Sequence, residues 1–428
     1  MSIITMLVIL VLALVLGIPA VFSMGLASLS YFFIERGIFD IPDYLIAQRT
    51  VFGLDSFTML AIPLFLLVGK VMNESNVTTR LFDFAKALVG HFRGGLGQVN
   101  ILASVIFSGM SGSATADAAG LGAVEIKAMR DANYPKRFAA SITAASSLIG
   151  PIIPPSIPVV LYAIIAGVSV NKLLVAGIIP GLLMALSLSI FVAIQAVKNN
   201  YPIEERASLK RIWTTARKAF LSVLTPVILI GGVLTGIFTA TEAAGIGALY
   251  AIILSTIVYR TISLLHLYDI FKRTMRDSAV IMIILGVANI FAWILIRERV
   301  PVTFANSITN LTENYYVVMG LCLVFLLLLG MFLSSIVSIT IATPVLVPLI
   351  MEVGGDPLHF GIIMIVALMI GEITPPFGMV LFAITRVGEL PFIDLVKGVT
   401  PYIIPIIILI IILIIFPSIV LFLPNLLL

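Results

Sequence analysis

Charge is scarce in this chain. Of 428 residues, 11% are charged and 61% hydrophobic, and the mean hydropathy is +1.20. Soluble domains carry about 25% charged residues, so little of this surface can face water. The composition predicts an all-α polytopic membrane protein. Cysteine is reduced to Cys322, inside an apolar run, which excludes a disulfide framework, and three scattered histidines exclude a His-rich metal site. No G-x-x-x-x-G-K-[ST] loop is present for ATP, and the loops are too short for a nucleotide domain. Without a His/Asp/Ser triad or paired metal ligands, an intramembrane enzyme is disfavoured. The small basic excess, 25 Lys+Arg against 21 Asp+Glu, sits in short loops, where it reports orientation and not nucleic-acid binding. The N-terminus "MSIITMLVILVLALVLGIPA" has no basic flank, so it reads as a retained span and not a cleaved signal.

Apolar runs fall near 2–16, 18–34, 52–73, 138–166, 173–197, 219–238, 241–259, 277–296, 358–385 and 399–426. Each approaches the length that a helix needs to cross ~30 Å of hydrocarbon. Two more, 97–126 and 317–350, are interrupted by polar and small residues. The one long hydrophilic segment, "KNNYPIEERASLKRIWTTARKAF" (198–220), has amphipathic helical spacing and predicts a linker helix near the middle.

Two phrases are nearly the same. "GPIIPPSIPVVLYAI" begins at Gly150 and "GEITPPFGMVLFAI" at Gly371, 221 residues later; Gly109-Met110 and Gly330-Met331 share that offset. "GIPAVFSMGLAS" (17–28) also resembles "GIFTATEAAGIG" (236–247), at an offset of 219. Three matches in order predict a duplication, 1–197 and 221–428, joined by the 198–220 linker.

Charge predicts how the halves are related. The run 97–126 is flanked by Arg80, Lys86 and Arg93 on one side and by Lys127, Arg130, Lys136 and Arg137 on the other. Both flanks are therefore expected in the cytoplasm, which makes the run a re-entrant hairpin. The run 317–350 lies in a stretch, 300 to 358, with no Lys or Arg, so both its flanks are expected outside. The halves are then inverted, with both termini external. On this topology only Arg36, Arg49, Lys172, Arg297 and Arg299 are external, Lys70 sits at a helix end, and the other 19 basic residues face the cytoplasm.

Inverted repeats, each with a hairpin and a broken helix, point to a secondary transporter with a midplane site. A Pro-Pro pair removes two backbone donors, and unpaired backbone at membrane depth is tolerated only when buried or lining a cavity. Carbonyls near Gly150–Pro154 and Gly371–Pro375 are thus expected to ligate a hard cation such as Na⁺. Hydroxyls of Ser108, Ser111, Ser113, Ser334 and Ser335 on the hairpins can complete the shell. The small residues Gly109, Ser111, Gly112 and Ser113 would also serve close helix packing. Their recurrence opposite a Pro-Pro break favours ion binding. Asp117 either caps the tip or lies near ion or substrate. Glu372, beside the second break, is a functional carboxylate or a backbone partner. Arg297 is an interfacial anchor with Glu298, or a fork for a substrate carboxylate. The candidates for substrate contact are Ser113, Thr115, Asp117, Ser156, Arg297, Ser334 and Ser335.

The run "GGLGQVNILASVIFSGMSGSATADAAGLGAVEIKAM" resembles the first hairpin of the large membrane subunit of tripartite ATP-independent periplasmic (TRAP) transporters. "IGPIIPPSIPVVLYA", "GMFLSS", "DPLHFGIIM" and "GEITPPFGMVLFAI" are similar to that family's later motifs. The likeness covers essentially the whole chain. It implies an elevator-type, Na⁺-coupled importer of organic acid anions in the bacterial inner membrane. A separate four-helix small subunit, expected because no such extension precedes Met1, and a soluble periplasmic binding protein would accompany it. It further implies a first Na⁺ site from Ser108, Ser111, Gly150, Ile153 and Pro154, and a second from Gly330, Gly371, Thr374 and Phe377. Ile153 and Phe377 would act through main-chain oxygens. Many members read "GMFLD" where this chain has Ser334, a departure that favours sialic acid over C4-dicarboxylates. The rivals are a self-sufficient Na⁺/dicarboxylate symporter and an ion channel, whose re-entrant loops look similar. Inversion within one chain suits alternating access better than a pore.

Overall fold

The computed structural model describes residues 2–37 and 40–428; Met1, Ile38 and Phe39 of the expected first half lie outside the described residues. All regular structure among the described residues is helical. Among the described residues, eight helices are long and apolar enough to cross a membrane: Phe57–Glu74, Val170–Asn199, Leu209–Leu234, Ala240–Val258, Leu264–Arg297, Tyr315–Phe332, Ser335–Glu352 and Phe392–Ile415. Outward faces such as Leu186, Ile190 and Ile194, or Val324 and Leu328, stay exposed. In water such faces would be sticky patches; against lipid tails they cost nothing.

Local chemistry ends the helices that build the centre. Leu96–Ser111 stops at Gly112, whose φ of +61° suits only glycine well. Ser113 then caps Ala114–Ala119 by accepting from the Ala116 N–H, and Leu121–Asp131 continues the returning arm. Lys136–Ser146 tightens into a 3₁₀ turn at Ser147–Ile149 and breaks over 150–155, after which Ser156 caps Ile157–Ala166. In the other half, Tyr315–Phe332 turns at 333–334 into Ser335–Glu352. Pro357–Glu372 breaks over 373–378 before Met379–Gly388. Both Pro-Pro bonds, 154–155 and 375–376, are cis.

Packing between the halves is reciprocal. The returning arm of the first hairpin lies on Met379–Gly388, and Ser335–Glu352 of the second lies on Ile157–Ala166. The helices before each break form the core: Phe138–Ile149 and His359–Glu372 are buried along their whole length. Outside this centre, Phe57–Glu74 is tied to Leu264–Arg297 by Lys70–Asp277 and by Glu74, which pairs with His266 at 2.7 Å and Arg273 at 2.9 Å.

Four segments differ from the pattern of apolar runs. The linker 198–220 is not one helix. Asn200 ends the preceding helix at φ +51°, and 201–208 runs without helix, with Pro202 in it. Tertiary partners hold it there: Tyr134 Oη donates to the Pro202 carbonyl at 2.6 Å, the Glu204 N–H to the Gly90 carbonyl at 3.2 Å, and Lys86 pairs with Glu204 at 2.9 Å. Residues 209–220 are the start of the spanning helix Leu209–Leu234. The span expected from 52 starts only at Phe57, because a separate helix, Asp43–Phe52, ends where that run begins. The helix around 277–296 begins at Leu264, so at 34 residues it spans about 51 Å, well beyond the hydrocarbon. The last run breaks at Phe416, because Pro417 disfavours helical backbone in the residue before it.

Candidate functional site

The two Pro-Pro breaks free particular oxygens. In a continuous helix the Gly150 carbonyl would receive the N–H of residue 154, and the Gly371 carbonyl that of residue 375; both positions are proline and have none. The carbonyls of Gly150, Ile153 and Pro154 receive no hydrogen bond among the described residues, whereas Gly371 is partly compensated by the Thr374 N–H at 3.0 Å.

In the first half the hairpin tip presses on the break. A Cβ placed on Gly112 would lie 2.4 Å from the Pro155 oxygen, and one on Gly150 would lie 2.2 Å from Asp117 Oδ2. Only glycine allows this approach. Ser111 Oγ donates to Asp117 Oδ1, and Ser108 Oγ to the Val105 carbonyl at 2.6 Å. Ser111 and Gly150, both expected at a first ion site, are thereby brought together around Asp117. Ile153 points its side chain at Gly181, away from the tip.

In the second half the contact is backbone on backbone. A Cβ on Gly371 would lie 2.4 Å from Gly330 C, and one on Gly330 would lie 2.8 Å from the Leu368 oxygen. The Glu372 and Thr374 carbonyls converge on Gly378, each 3.0 Å from where its Cβ would be. Thr374 Oγ1 donates to the Ile370 carbonyl at 2.6 Å. The Phe377 ring is half exposed and lies 6.0 Å from that of Phe332. Glu372, 4% exposed, accepts the Ser335 N–H at 3.1 Å, so it caps the second hairpin's returning arm.

Between the tips is one cavity of about 100 Å³. Its lining includes Ser113, Ala114 and Thr115, Ile157 and Pro158, Ser334 and Ser335, and Met379. These residues stand at the N-terminal ends of four helices, two from each half. Such ends carry unpaired N–H groups and partial positive charge. The cavity thus offers an anion donors and hydroxyls, although its lining also includes Glu372, which already takes the Ser335 N–H. A larger one, about 560 Å³, lies between Leu264–Arg297, Ser335–Glu352 and Ile157–Ala166, but its lining is mainly apolar, with Asn289, Arg299, Thr340 and Thr343 as exceptions.

The remaining candidates lie elsewhere. Ser156 is buried in its capping role, donating to the Pro151 carbonyl and accepting the Val159 N–H at 3.2 Å. Asp117 faces Gly150 behind the tip and not the cavity. Arg297 stacks on Trp293, 5.3 Å from the ring centroid, as does Arg49 at 5.5 Å. Glu298, expected beside Arg297, instead accepts from Tyr31. The cationic ends of the helices, not an arginine, are what the cavity offers; the capping serines Ser113 and Ser156 were the sequence signal for the two from the first half.

Residues 7–419 match the family model described as "Tripartite ATP-independent periplasmic transporter, DctM component". The chain is 43% identical over 414 residues to the sialic acid TRAP transporter large permease protein SiaM of Vibrio cholerae, covering 96% of each. It is 39% identical over 413 residues to the sialic acid TRAP transporter permease protein SiaT of Haemophilus influenzae, covering 96% of this chain and 67% of that one. The C4-dicarboxylate permease DctM of Pseudomonas aeruginosa is 37% identical, with 87% of each covered. In fold, the chain is similar to the crystal structure of the Alcanivorax borkumensis YdaH transporter, with a TM-score of 0.63 at 17% identity and 89% of each chain covered. With eight membrane-length apolar helices among its described residues and a family match over nearly its whole length, this chain belongs to the TRAP transporter large permeases and is a multi-pass protein of the bacterial inner membrane.

Proposed function

We propose that this permease imports a small organic acid anion, with sialic acid favoured over C4-dicarboxylates, by coupling it to at least two Na⁺ ions. The observation that carries this reading is the cavity lined by four helix N-termini, flanked on each side by a Pro-Pro break. Positive helix ends suit the substrate carboxylate, and freed carbonyls suit Na⁺. The first ion would take Ser108, Ser111, Gly150, Ile153 and Pro154; the second would take Gly330, Gly371, Thr374 and Phe377. Ser113, Thr115, Ser334 and Ser335 would contact the substrate. At about 30 Å³ per water, 100 Å³ holds only some three waters, so a sugar acid enters once the tips part.

Movement would follow an elevator scheme, with 1–197 and 221–428 as inverted repeats and both hairpins and broken helices travelling together. The first hairpin meets Phe57–Glu74 and Leu209–Leu234 through close contacts that suit sliding: Gly69 on Ser111, Gly120 on Asn73, and Gly109 on Pro226. A four-helix membrane subunit and a periplasmic binding protein would complete the system, in keeping with a component of a tripartite transporter. Names of two relatives support sialic acid as the substrate.

The test is reconstitution. Proteoliposomes holding this chain and its small subunit are given labelled sialic acid or succinate under an inward Na⁺ gradient, with and without the binding protein. Sialic acid uptake that needs both Na⁺ and the binding protein is expected. Uptake by this chain alone would favour a self-sufficient symporter, and substrate-free current would favour a channel.

A further inference from the structure

The helix Leu264–Arg297 is longer than the membrane needs. About 20 residues cover the hydrocarbon, which leaves its first ~14 at headgroup level and beyond. A helix of this length fits by tilting, so its first turns overhang one leaflet. Their exposed surface is apolar on one side: Leu264 is 79%, Tyr268 68% and Met275 70% exposed. At i, i+4 and i+11 these three share a face, with Phe271 between them. The neighbouring face is basic. Lys272 and Arg276, one turn apart and exposed, pair with no carboxylate among the described residues. With His266, Asp269 and Arg273 they line a surface cavity of about 440 Å³. His266 and Arg273 are committed to Glu74, at 2.7 and 2.9 Å. Lys272 and Arg276 therefore outweigh Asp269, the one acid in the lining.

We infer that this overhanging end is a binding site for an anionic phospholipid of the cytoplasmic leaflet. The headgroup phosphate sits between Lys272 and Arg276, and the acyl chains lie under the stripe of Leu264, Tyr268, Phe271 and Met275. An apolar face bordered by basic residues is the pattern of a helix that rests on an anionic membrane surface, and basic pockets on the cytoplasmic side suit acidic headgroups. A second spanning helix, Leu209–Leu234, opens in the same way. Ser208 caps it as Ser263 caps the first. Leu209, Trp213 and Phe220 are exposed on one face, with Lys210 and Arg217 beside them. Two helices that begin alike mark one headgroup plane. A protein partner would need acids of its own to meet Lys272 and Arg276, whereas the leaflet supplies phosphate at this depth.

The experiment follows thermal unfolding of the purified full-length chain in detergent as lipid is added. Cardiolipin or phosphatidylglycerol should raise the unfolding temperature, and phosphatidylcholine should need at least ~10-fold more lipid for the same effect. The double variant Lys272→Gln, Arg276→Gln should raise the cardiolipin concentration for half-maximal effect at least ~10-fold. Lys272→Gln alone should give a smaller rise and serves if the double variant folds poorly. Lys127→Gln with Arg206→Gln removes the same charge from other exposed positions and should leave that concentration within about twofold. Inorganic phosphate, which has no acyl chains, should not stabilise the chain. Equal effects of anionic and zwitterionic lipid, a wild-type response in the double variant, or an equal loss in the control pair would overturn the site. So would stabilisation by inorganic phosphate alone. Loss of the cardiolipin response when the small membrane subunit is bound would make that subunit the occupant and overturn it too.

Discussion

Replacing Gly371 by alanine tests whether the second hairpin and the second break share one rigid contact. The added Cβ would lie 2.4 Å from Gly330 C, 2.5 Å from Gly330 Cα and 2.9 Å from Gly330 O. Carbon pairs settle at about 3.5–4.0 Å, so the two backbones must separate by about 1 Å. Neither partner is a flexible side chain that can step aside. Overpacking of this kind costs about 1–3 kcal/mol, and backbone on both sides places the expected loss at the upper end, about 2–3 kcal/mol. The same shift would pull the Gly330 and Gly371 carbonyls apart, so Na⁺-dependent uptake should fall at least ~10-fold. Gly320→Ala is the control: it lies in the same hairpin arm, Tyr315–Phe332, with nothing within 4 Å of its Cβ position. There alanine should be neutral or stabilise by up to ~1 kcal/mol through helix propensity. Thermal unfolding in detergent and uptake in proteoliposomes would be measured for both. Equal stability and transport in the two variants would refute the contact.

Three more outcomes follow from the same geometry. Thr374→Ala removes a hydroxyl but keeps the main-chain oxygens, so it should raise the Na⁺ needed for uptake by about 5-fold, the worth of ~1 kcal/mol, with folding largely intact; an unchanged Na⁺ dependence in this variant and in Ser108→Ala would count against both assigned sites. Phe377→Leu should leave Na⁺ dependence unaltered, because its ring is half exposed and only its carbonyl is assigned; a large shift would show that the ring matters. Single cysteines at Lys127 and Asn314, both exposed, in a Cys322→Ser background should react with impermeant maleimide from opposite faces, and labelling of both from the periplasm would contradict the inverted hairpins.

Much of the centre was legible because its signals are local. Prolines stop a helix wherever they stand, and Gly112, Ser113 and Ser156 turn and cap the chain within a few residues. Segments set by distant partners were not legible. The amphipathic spacing of 198–220 is real, but Tyr134, Gly90 and Lys86 hold its first part out of a helix. Asp43–Phe52, Val77–Val89 and Val300–Thr309 mix polar and apolar residues over lengths too short to span a bilayer, so a search for long apolar runs passes over them. Arg297 had two readings in sequence, an anchor with Glu298 or a fork for a substrate carboxylate, and neither pointed to its stacking on Trp293. Asp117 shows the same limit: its spacing places it on the hairpin, while its approach to Gly150 depends on how hairpin and break pack.

The central claim is that Na⁺ drives transport through this chain. Two Na⁺ ions with one monoanionic carboxylate move at least one net positive charge inward per cycle, and one charge through 100 mV is worth ~2.3 kcal/mol. The decisive measurement is therefore sialic acid uptake by the reconstituted system under a K⁺/valinomycin potential, with a Na⁺ gradient or a proton gradient as the only other force. An inside-negative potential should accelerate and deepen Na⁺-dependent uptake, and a proton gradient without Na⁺ should drive none. Uptake powered by protons alone would contradict the account.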